Sequence, residues 1–394
     1  MHLYLHDYAG HPFQVDLSRE LARRGWRVTH TYFKDDIGPK GDFVKRSDDL
    51  EGLSFRPQTI GRAYSKTNLF ARRSGDIAYG RALAKDIRSV NPDVVLSGNT
   101  PTEAQEIASS TCWIDQRPFV FWCQDFYSIA TENLLKRKLG PAGNAIGAYY
   151  RALEKRQMNR ASQIIHITED FRLTTDQWKI PKEKVSVIEN WASVAQIPVL
   201  DQTNDWTREH RLARVPRVLY SGTLGLKHDP SLLNAIAASG LAEVVVVASG
   251  SGVRDLDVSS KLRSLPLQPY HRMAEVLASS DILLAMIEPD AGAYSVPSKI
   301  LTYLCAGRPI VLSAPSTNLA ARTIARNEAG RVVAPGDHTA AIAAVRHFLT
   351  NKDAANEAGR NGRTFAEANF NIQTIADRFE VVLERALARK RAVA

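Results

Sequence analysis

The sequence predicts an α/β protein made of two doubly wound domains. Short apolar runs alternate with helical stretches, which is typical of a parallel sheet covered by helices on both faces. This alternation stops near residue 200 and then starts again. A chain of 394 residues is also too long for one ordinary hydrophobic core. We therefore expect two Rossmann-like domains that face each other across a cleft, with ligands at the carboxyl ends of the strands.

The first half begins with a strand, a helix and a second strand. The predicted helix, residues 13–24, ends at Gly25, because glycine readily adopts the left-handed conformation that closes a helix. The predicted strands of this half are the apolar runs at residues 3–7, 26–33, 93–97, 119–123, 164–167 and 185–188. Together these elements predict a first domain over residues 1–195.

The second half repeats the pattern after a polar stretch. That stretch, residues 196–214, contains Pro198 and Trp206 and is predicted to be a linker. The predicted strands that follow it lie at residues 217–220, 244–247, 282–286, 310–312 and 332–333. They predict a second domain over residues 215–371, and the tail from residue 339 onward is predicted to be helical.

The charge of the chain predicts an anionic partner. The formal net charge is +9 and the calculated pI is about 9.4. Nucleic acid, anionic lipid and phosphorylated small molecules all fit this charge. The sequence has no RNP, helix-turn-helix or zinc-finger signature, which argues against nucleic acid.

The cysteines and the apolar segments predict a location. Cys112, Cys123 and Cys305 lack CxxC spacing, which favours a reducing compartment and gives no support to a zinc site or a disulfide. No uninterrupted apolar segment is long enough to span a bilayer, and the N-terminal residues do not resemble a signal peptide. We expect a cytoplasmic protein.

Residues 295–309, SVPSKILTYLCAGRP, predict a phosphate site. They follow an apolar strand and a loop, and Ser298 is a good N-cap for a short helix that ends at Gly307. Free amides at a helix start and the adjacent Lys299 together attract phosphate. The alternative is an ordinary strand–helix unit in which Lys299 is simply solvated.

Residues 221–230, SGTLGLKHDP, form a second glycine-containing loop after a strand. Gly222 and Gly225 let the backbone approach a ligand, and Lys227 can reach a phosphate. Asp229 can cap a helix whose first residue is Pro230. The Gly-Lys-Ser/Thr order of a Walker loop is missing, so a plain strand–turn–helix remains the alternative.

Two loops of the first half carry candidate catalytic residues. Residues 7–14, DYAGHPFQ, replace the GxGxxG of a dinucleotide site, which argues against NAD or FAD. His11 in this loop is either catalytic or a surface or capping group. Asp125 follows the strand at residues 119–123 and is either a base or hydroxyl partner, or a helix cap.

A basic stretch with interleaved apolar residues lies between residues 136 and 160. Its members are Lys136, Arg137, Lys138, Arg151, Lys155, Arg156 and Arg160, with Leu139, Ile146, Tyr149, Tyr150 and Leu153 among them. Such a helix can lie on an anionic membrane surface. A solvated helix face is the alternative.

Five segments in the same order resemble glycosyltransferases of the GT-B type, retaining family four. They are residues 7–14, 220–228, 267–270, 288–292 and 295–309. The chain is most similar to the branch that makes bacterial surface polysaccharides, including fucosaminyl- and colanic-acid-type transferases. The resemblance implies a GT-B fold in which a C-terminal helix, about residues 372–394, packs back onto the first domain.

The resemblance also implies a donor and an acceptor. The second domain would bind a nucleotide diphosphate sugar, with UDP favoured, and the first would bind a saccharide or a polyprenyl-diphosphate-linked acceptor at the cytoplasmic face of the inner membrane. The implied diphosphate-binding residues are Gly222, Thr223, Gly225, Lys227, Ser298 and Lys299. The remaining implied residues are Pro269 and Tyr270 at the base, Glu288, Asp290 and Gly292 at the donor sugar, Gly10, Pro12 and Phe13 in the acceptor loop, and His11 and Asp125 in catalysis.

One departure from the family affects the predicted mechanism. Many relatives carry two glutamates spaced E-x7-E, and here those positions are Tyr294 and Thr302. Lysines and helix amides can stabilise a departing diphosphate without a metal, so we expect no metal and no cofactor. A nucleotide-diphosphate-sugar epimerase and a non-catalytic sugar-nucleotide-binding partner remain the alternatives.

Overall fold

The computed structural model describes residues 1–35, 40–61, 64, 69–212, 215–225, 228–289 and 295–393, and within these it leaves out the side chains of Leu69, Lys138 and residues 389–393. The chain divides into two compact units. One unit comprises Met1–Glu189 and Ile372–Ala394, and the other comprises Asn190–Asn371.

The first unit contains a seven-stranded, entirely parallel sheet in the order β3-β2-β1-β4-β5-β6-β7. Its strands are β1 (His2–Asp7), β2 (Arg27–Phe33), β3 (Leu53–Gln58), β4 (Val94–Gly98), β5 (Phe119–Cys123), β6 (Gln163–His166) and β7 (Val185–Val187). Its helices are α1 (Pro12–Arg23), α2 (Leu69–Val90), α3 (Thr102–Ile114), α4 (Tyr127–Leu139), α5 (Pro141–Arg160), α6 (Arg172–Gln177) and α14 (Ile372–Val393).

The strand order reverses between β1 and β4, so the loops that follow these two strands leave in opposite directions. Asp7 at the end of β1 is paired with Gly98 at the end of β4, and Gly98 is paired with Trp122 of β5. The carboxyl ends of the three central strands therefore meet at one edge, where open α/β sheets bind ligands.

The C-terminal helix α14 is part of the first unit. Arg24, just after α1, donates hydrogen bonds to Asp377 and Glu380, and the indole of Trp26 donates to Glu380 at 2.8 Å. Phe379 is fully buried, and its ring lies 4.8 Å from that of Trp122. Apolar packing and ion pairs thus hold the end of the chain against the first sheet.

The second unit contains a six-stranded parallel sheet in the order β10-β9-β8-β11-β12-β13. Its strands are β8 (Arg217–Thr223), β9 (Glu243–Ser249), β10 (Leu262–Leu265), β11 (Ile282–Met286), β12 (Ile310–Ser313) and β13 (Gly330–Val333). Its helices are α7 (Asp205–Glu209), α8 (Pro230–Ala238), α9 (Met273–Ala278), α10 (Lys299–Cys305), α11 (Leu319–Arg326), α12 (His338–Thr350) and α13 (Lys352–Asn369). Here the strand order reverses between β8 and β11.

The stretch predicted as a linker, residues 196–214, folds as part of the second unit over its described residues. Trp206 is fully buried, and Asn204 and Thr207 form a reciprocal cap at the start of α7. Arg363 of α13 donates to the carbonyl of Ile197 at 2.6 Å. The buried Trp206 and the capped start of α7 therefore attach this segment to the core of the second unit, which its polar composition did not indicate.

The basic stretch at residues 136–160 forms two helices rather than one. Gly140 lies between α4 and α5 with a φ of 55°, in the left-handed region that glycine favours. A Cβ at Gly143 would lie 2.2 Å from the carbonyl oxygen of Leu135, so glycine lets the two helix backbones approach closely. Leu139, Ile146 and Tyr149 are 40–50% exposed.

The sequence patterns missed two edge strands, β3 and β10. Strand β3 contains Arg56 and Pro57, and every residue after the first in both strands is partly or fully exposed. An edge strand pairs on one side only and tolerates proline and charge, so it lacks the continuous apolar run that identified the central strands.

Within the described part of the chain, no helix is both long enough and apolar enough to cross a membrane. Cys112, Cys123 and Cys305 are buried free thiols.

Candidate functional site

The second unit brings two predicted loops together at the point where its strand order reverses. The loop after β8 contains Gly222 and Gly225, and the loop after β11 leads to α10 and Lys299. Strands β8 and β11 are direct neighbours, with Leu219 opposite Leu283. Residues far apart in the chain thus meet at the carboxyl edge of the sheet.

Lys299 is held against the end of β8. Its Nζ donates to the hydroxyl of Tyr220 at 2.5 Å and lies 4.0 Å from the centroid of that ring. It also lies 3.5 Å from the carbonyl oxygen of Thr223. Tyr220 is itself fixed, because its hydroxyl donates to the carbonyl of Thr223 at 2.7 Å.

The surroundings of Lys299 change its protonation. Loss of solvent around the half-buried side chain lowers the pKa of its amine to about 7. In this structure the described partners of the amine are neutral oxygens and an aromatic face, so no carboxylate holds the charge in place. An anion that arrives at this position would supply the missing partner.

Gly222 makes room for the lysine. Its φ of 124° lies in the left-handed region, and a Cβ there would lie 3.3 Å from Cε of Lys299. A side chain at this position would be strained and would also press on the lysine stem. Gly225 has no such restriction, since among the described residues its added Cβ would meet only Cγ2 of Thr223 at 3.8 Å.

The turns after β8 and β9 support each other. The amide of Leu224 donates to Ser249 at 2.7 Å, and the amide of Gly252 donates to Leu224 at 3.0 Å. A Cβ at Gly250, where φ is 120°, would lie 2.4 Å from the carbonyl oxygen of Leu224. Asp229 accepts from the amide of Ser231 and thereby caps α8 as predicted.

Ser298 does not act as the predicted side-chain cap. Its φ and ψ are −61° and −25°, which are helical values, and its side chain makes no cap hydrogen bond. A capping side chain requires an extended backbone, and this residue is already turned into the helix. Because α10 spans only seven residues, few peptide dipoles are aligned at its start.

Several predicted donor residues lie outside the described part of the chain. These are Lys227, Asp290 and Gly292, together with Tyr294 at one of the altered glutamate positions. Thr302, at the other glutamate position, is half-buried on α10, and its hydroxyl donates to the carbonyl of Lys299 at 2.9 Å. Thr302 thus stabilises the helix turn that carries the lysine.

The other predicted donor residues lie at the same edge of the second sheet. Pro269 is exposed, and the half-buried Tyr270 begins a short 3-10 turn between β10 and α9. Glu288 is half-buried and follows the end of β11. Glu288 follows β11, which lies directly beside β8, whereas Pro269 and Tyr270 follow β10, which β9 separates from β8 in the strand order.

The first unit pairs His11 with Asp7. Nδ1 of His11 lies 3.1 Å from the carboxylate of Asp7, and the amide of His11 donates to the same carboxylate. Burial acts to raise the pKa of the Asp7 carboxyl, but the charge and hydrogen bonds of His11 outweigh it and leave the pKa below its ordinary value. Gly10 turns this loop with a φ of 76°.

The rest of the predicted acceptor loop starts α1. Pro12 is half-buried and occupies the first helical position, where it needs no hydrogen-bond partner. Phe13 is 6% exposed, and its ring packs 5.9 Å from that of Trp122. Phe13 therefore contributes to the core rather than to a surface.

Asp125 is half-buried two residues after the end of β5, and a different residue caps the helix that follows. Glu154 of α5 accepts hydrogen bonds from the amides of Tyr127 and Ser128, each at 3.2 Å, and from the Ser128 hydroxyl at 2.5 Å. Burial raises the pKa of the Glu154 carboxyl to about 7 despite these donors. The start of α4 thus depends on a carboxyl from the neighbouring helix.

Sequence reasoning missed three of these relationships. The i, i+4 spacing of Asp7 and His11 is a local signal that could have predicted their pairing. The contacts of Tyr220 with Lys299 and of Glu154 with Ser128 have no local signal, because each pair is separated by a complete strand or helix.

The described residues contain no group of three or more His, Cys, Asp or Glu side chains arranged to hold a metal ion.

The two parallel sheets, each with a strand-order reversal at its centre, define a GT-B fold. Sucrose-phosphate synthase from Thermosynechococcus elongatus matches with a TM-score of 0.75 at 14% identity, over 99% of this chain and 100% of that one. HepE from Anabaena, in complex with UDP and glucose, matches with a TM-score of 0.72 at 15% identity, over 97% and 99%. WaaG, a glycosyltransferase involved in lipopolysaccharide biosynthesis, matches with a TM-score of 0.67 at 15% identity, over 97% and 99%.

Residues 13–196 also match the sequence profile of Glycosyltransferase Family 4. This match covers most of the first unit and slightly less than half of the chain. The structural matches establish the fold alone, since their identities are low. No curated protein sequence matches the chain significantly.

Proposed function

We propose that this protein is a family 4 glycosyltransferase that transfers a sugar from a nucleotide diphosphate sugar to a saccharide or lipid-linked saccharide. The observation that carries the proposal is Lys299, which is held at the carboxyl edge of the second sheet with neutral partners. The profile match over residues 13–196 supports the family. UDP is the favoured nucleotide because HepE, which shares the fold, was solved with UDP and glucose.

The chemistry follows from where charge develops. As the acceptor hydroxyl attacks the anomeric carbon, negative charge grows on the departing nucleoside diphosphate. A cation that is already in place, in a half-buried site, stabilises this charge more than a mobile surface lysine can. We assign this role to Lys299, helped by Lys227, Ser298 and the backbone of the Gly222–Gly225 turn.

The acceptor belongs, in this proposal, to the first unit. His11 is the candidate base, and Asp7 orients its ring through Nδ1. Asp125 is the second candidate, since its half-buried carboxyl follows β5 at the same sheet edge. Replacing His11 and Asp125 singly by asparagine separates these roles. Only the replacement of the true base should lower kcat with little change in the KM of the donor.

The finer parts of the proposal are a role in bacterial surface polysaccharide synthesis, metal-independent turnover and contact with an anionic membrane. The first two rest on the resemblance of five segments and on the lysine-based site. The third rests on the exposed Leu139, Ile146 and Tyr149 of α4 and α5, which lie among basic residues. Full activity in EDTA and sedimentation with anionic vesicles are the expected results.

The central experiment measures thermal shifts with UDP, GDP, dTDP and ADP, since a ligand that binds the native state raises its melting temperature. We expect UDP to give the largest shift and Lys299→Ala to remove most of it. Lys352→Ala, an exposed lysine at the start of α13, is the matched control. The absence of a shift with every nucleotide would contradict the proposal.

Turnover distinguishes the enzyme from its alternatives. With UDP-sugars and an acceptor panel, a transferase releases UDP and forms a glycoside. Release of free epimerised sugar without acceptor would instead identify an epimerase. Tight UDP binding with no turnover on any acceptor would identify a non-catalytic binding protein.

A further inference from the structure

Strands β8 and β11 part before they reach the carboxyl edge of the second sheet. Among the described residues, their last pair is Leu219 opposite Leu283. Beyond this pair, β8 stays paired with β9 as far as Thr223, and β11 stays paired with β12 as far as Met286. The two strands therefore diverge just where the candidate donor site begins.

The hydroxyl of Tyr303, on α10, takes the place of β11 beside the end of β8. It accepts a hydrogen bond from the amide of Ser221 at 2.8 Å and donates to the carbonyl of the same residue at 3.3 Å. Tyr303 is 1% exposed and Ser221 is 4% exposed. Buried backbone groups nearly always have a partner, and here one side chain supplies what the diverging strand does not.

Tyr303 shares a face of α10 with Lys299. The two residues are four positions apart, which is about one helical turn. Lys299 contacts Tyr220, and Tyr303 contacts Ser221, so both side chains of α10 meet adjacent residues of β8. Two attachments one turn apart fix the position of this short helix along the strand and its rotation. The place of the lysine amine therefore depends on both contacts.

The Tyr303 hydroxyl keeps the proton that this arrangement needs. Burial raises the pKa of its phenol above the ordinary value. The hydroxyl can therefore donate and accept at once over the pH range in which Lys299 titrates, whereas a phenyl ring can do neither. Without it, the amide and carbonyl of Ser221 would lose their partner directly before Gly222, the residue whose backbone approaches the lysine stem.

We propose that Tyr303 is a positioning residue for Lys299: its hydroxyl fixes α10 against the diverging end of β8 and so holds the lysine amine where it meets the donor diphosphate. The contact with the diphosphate rests on the proposed glycosyltransferase function, whereas the positioning of the amine does not. In this assignment Tyr303 touches no substrate group and acts only through Lys299.

Three variants of the full-length protein test the proposal. Tyr303→Phe removes the hydroxyl and keeps the ring. Tyr303→4-aminophenylalanine keeps a donor at the same place but accepts hydrogen bonds poorly, so it should behave between tyrosine and phenylalanine. Ser280→Ala is the matched control from the same unit. It removes another buried hydroxyl, which donates to the carbonyl of Leu277 at 3.1 Å just before β11 begins, at the opposite edge of the sheet.

The first measurement needs no ligand. The protein is labelled with ¹³Cε-lysine, the Lys299 signal is assigned through Lys299→Arg, and its chemical shift is titrated with pH. We expect a midpoint near the pKa of about 7 in the wild type and in Ser280→Ala. In Tyr303→Phe the midpoint should lie about 1 pH unit higher, because a helix that is no longer fixed lets water reach the amine. A wild-type midpoint in both Tyr303 variants, even with a lower melting temperature, would overturn the proposal.

The second measurement is UDP affinity by calorimetry at pH 6, where the amine is mostly charged in every variant. Tyr303→Phe should bind UDP about tenfold more weakly, the effect expected when one charge-assisted contact is misplaced, and Ser280→Ala should bind it as the wild type does. An equal loss in Ser280→Ala would assign the effect to general destabilisation and overturn the proposal.

The two measurements also separate this inference from the proposed function. If the wild type binds no UDP and Tyr303→Phe still raises the Lys299 midpoint, the donor role fails and the positioning of the amine stands. If the wild type binds UDP and the Tyr303 variants match it in both measurements, this inference alone is removed.

Discussion

The amine of Lys299 lies 2.5 Å from the hydroxyl of Tyr220 and 4.0 Å from the centroid of its ring, although 79 residues separate the two in the chain. Tyr220 belongs to β8 and Lys299 begins α10, so this contact joins the two loops at the strand-order reversal. The tyrosine positions the cation in the unliganded protein. Binding an anion then requires little reorganisation of the lysine, which favours affinity.

Replacing Lys299 by alanine should weaken UDP binding by roughly 10- to 100-fold, because a charge-assisted hydrogen bond contributes about 1.5–3 kcal/mol. Isothermal titration calorimetry measures the change directly. Lys352→Ala should bind UDP as the wild type does, since that lysine is exposed on α13. Equal loss of affinity in both variants would point to a general charge effect instead of a specific contact.

UDP affinity should fall as the pH rises above 7. Desolvation lowers the pKa of Lys299 to about 7 in the free protein, and an anionic ligand favours the charged amine and raises that pKa. Binding therefore takes up a proton, and the affinity should fall by up to about tenfold per pH unit between pH 7 and 9. Lys299→Arg should flatten this profile, because arginine stays charged. A steep profile in that variant would assign the titration to another group.

Gly222→Ala should lower both stability and UDP affinity, whereas Gly225→Ala should leave stability unchanged. Alanine at a φ of 124° is strained, and its methyl would press on Cε of Lys299 at 3.3 Å. Strain of about 1–3 kcal/mol corresponds to a melting temperature lower by several degrees. Gly225 is the matched stability control from the same turn, since its added Cβ makes only ordinary contact with the described residues. Differential scanning fluorimetry with and without UDP measures both effects.

Glu154→Gln should change how the stability of the first unit depends on pH. The folded-state pKa of Glu154 is raised to about 7, from 4.5 for an ordinary glutamate, so the folded protein keeps a proton that the unfolded chain has released. Stability from this group is therefore greatest below about pH 4.5 and falls by roughly 3 kcal/mol as the pH rises to 7.

The glutamine variant removes that titration, so the difference in unfolding free energy between wild type and variant should vary over this range and be constant above it. Urea denaturation at several pH values measures it. Glu384→Gln, at an exposed position of α14 in the same unit, should follow the wild-type profile throughout. A constant difference between Glu154→Gln and wild type would show that folding does not raise the pKa of Glu154.

The central strands were predictable because they are buried on both faces. Strands β5 and β11 lie at the predicted residues, and the helix end at Gly307 has the expected positive φ of 68°. Edge strands β3 and β10 were missed since they carry polar residues and proline. Trp206 in the expected linker shows the same limit, because local composition does not indicate burial by segments that are distant in the chain.

The sequence by itself determined the two-sheet α/β architecture and the residue types of the candidate donor site, because hydrophobic periodicity and glycine-containing turns are local properties. Only the tertiary structure decided that Lys299 contacts Tyr220 and that Glu154 caps α4. The physical reason is that each relationship joins segments far apart in the chain. Side-chain partners, and the pKa values that depend on them, are set by packing between those segments.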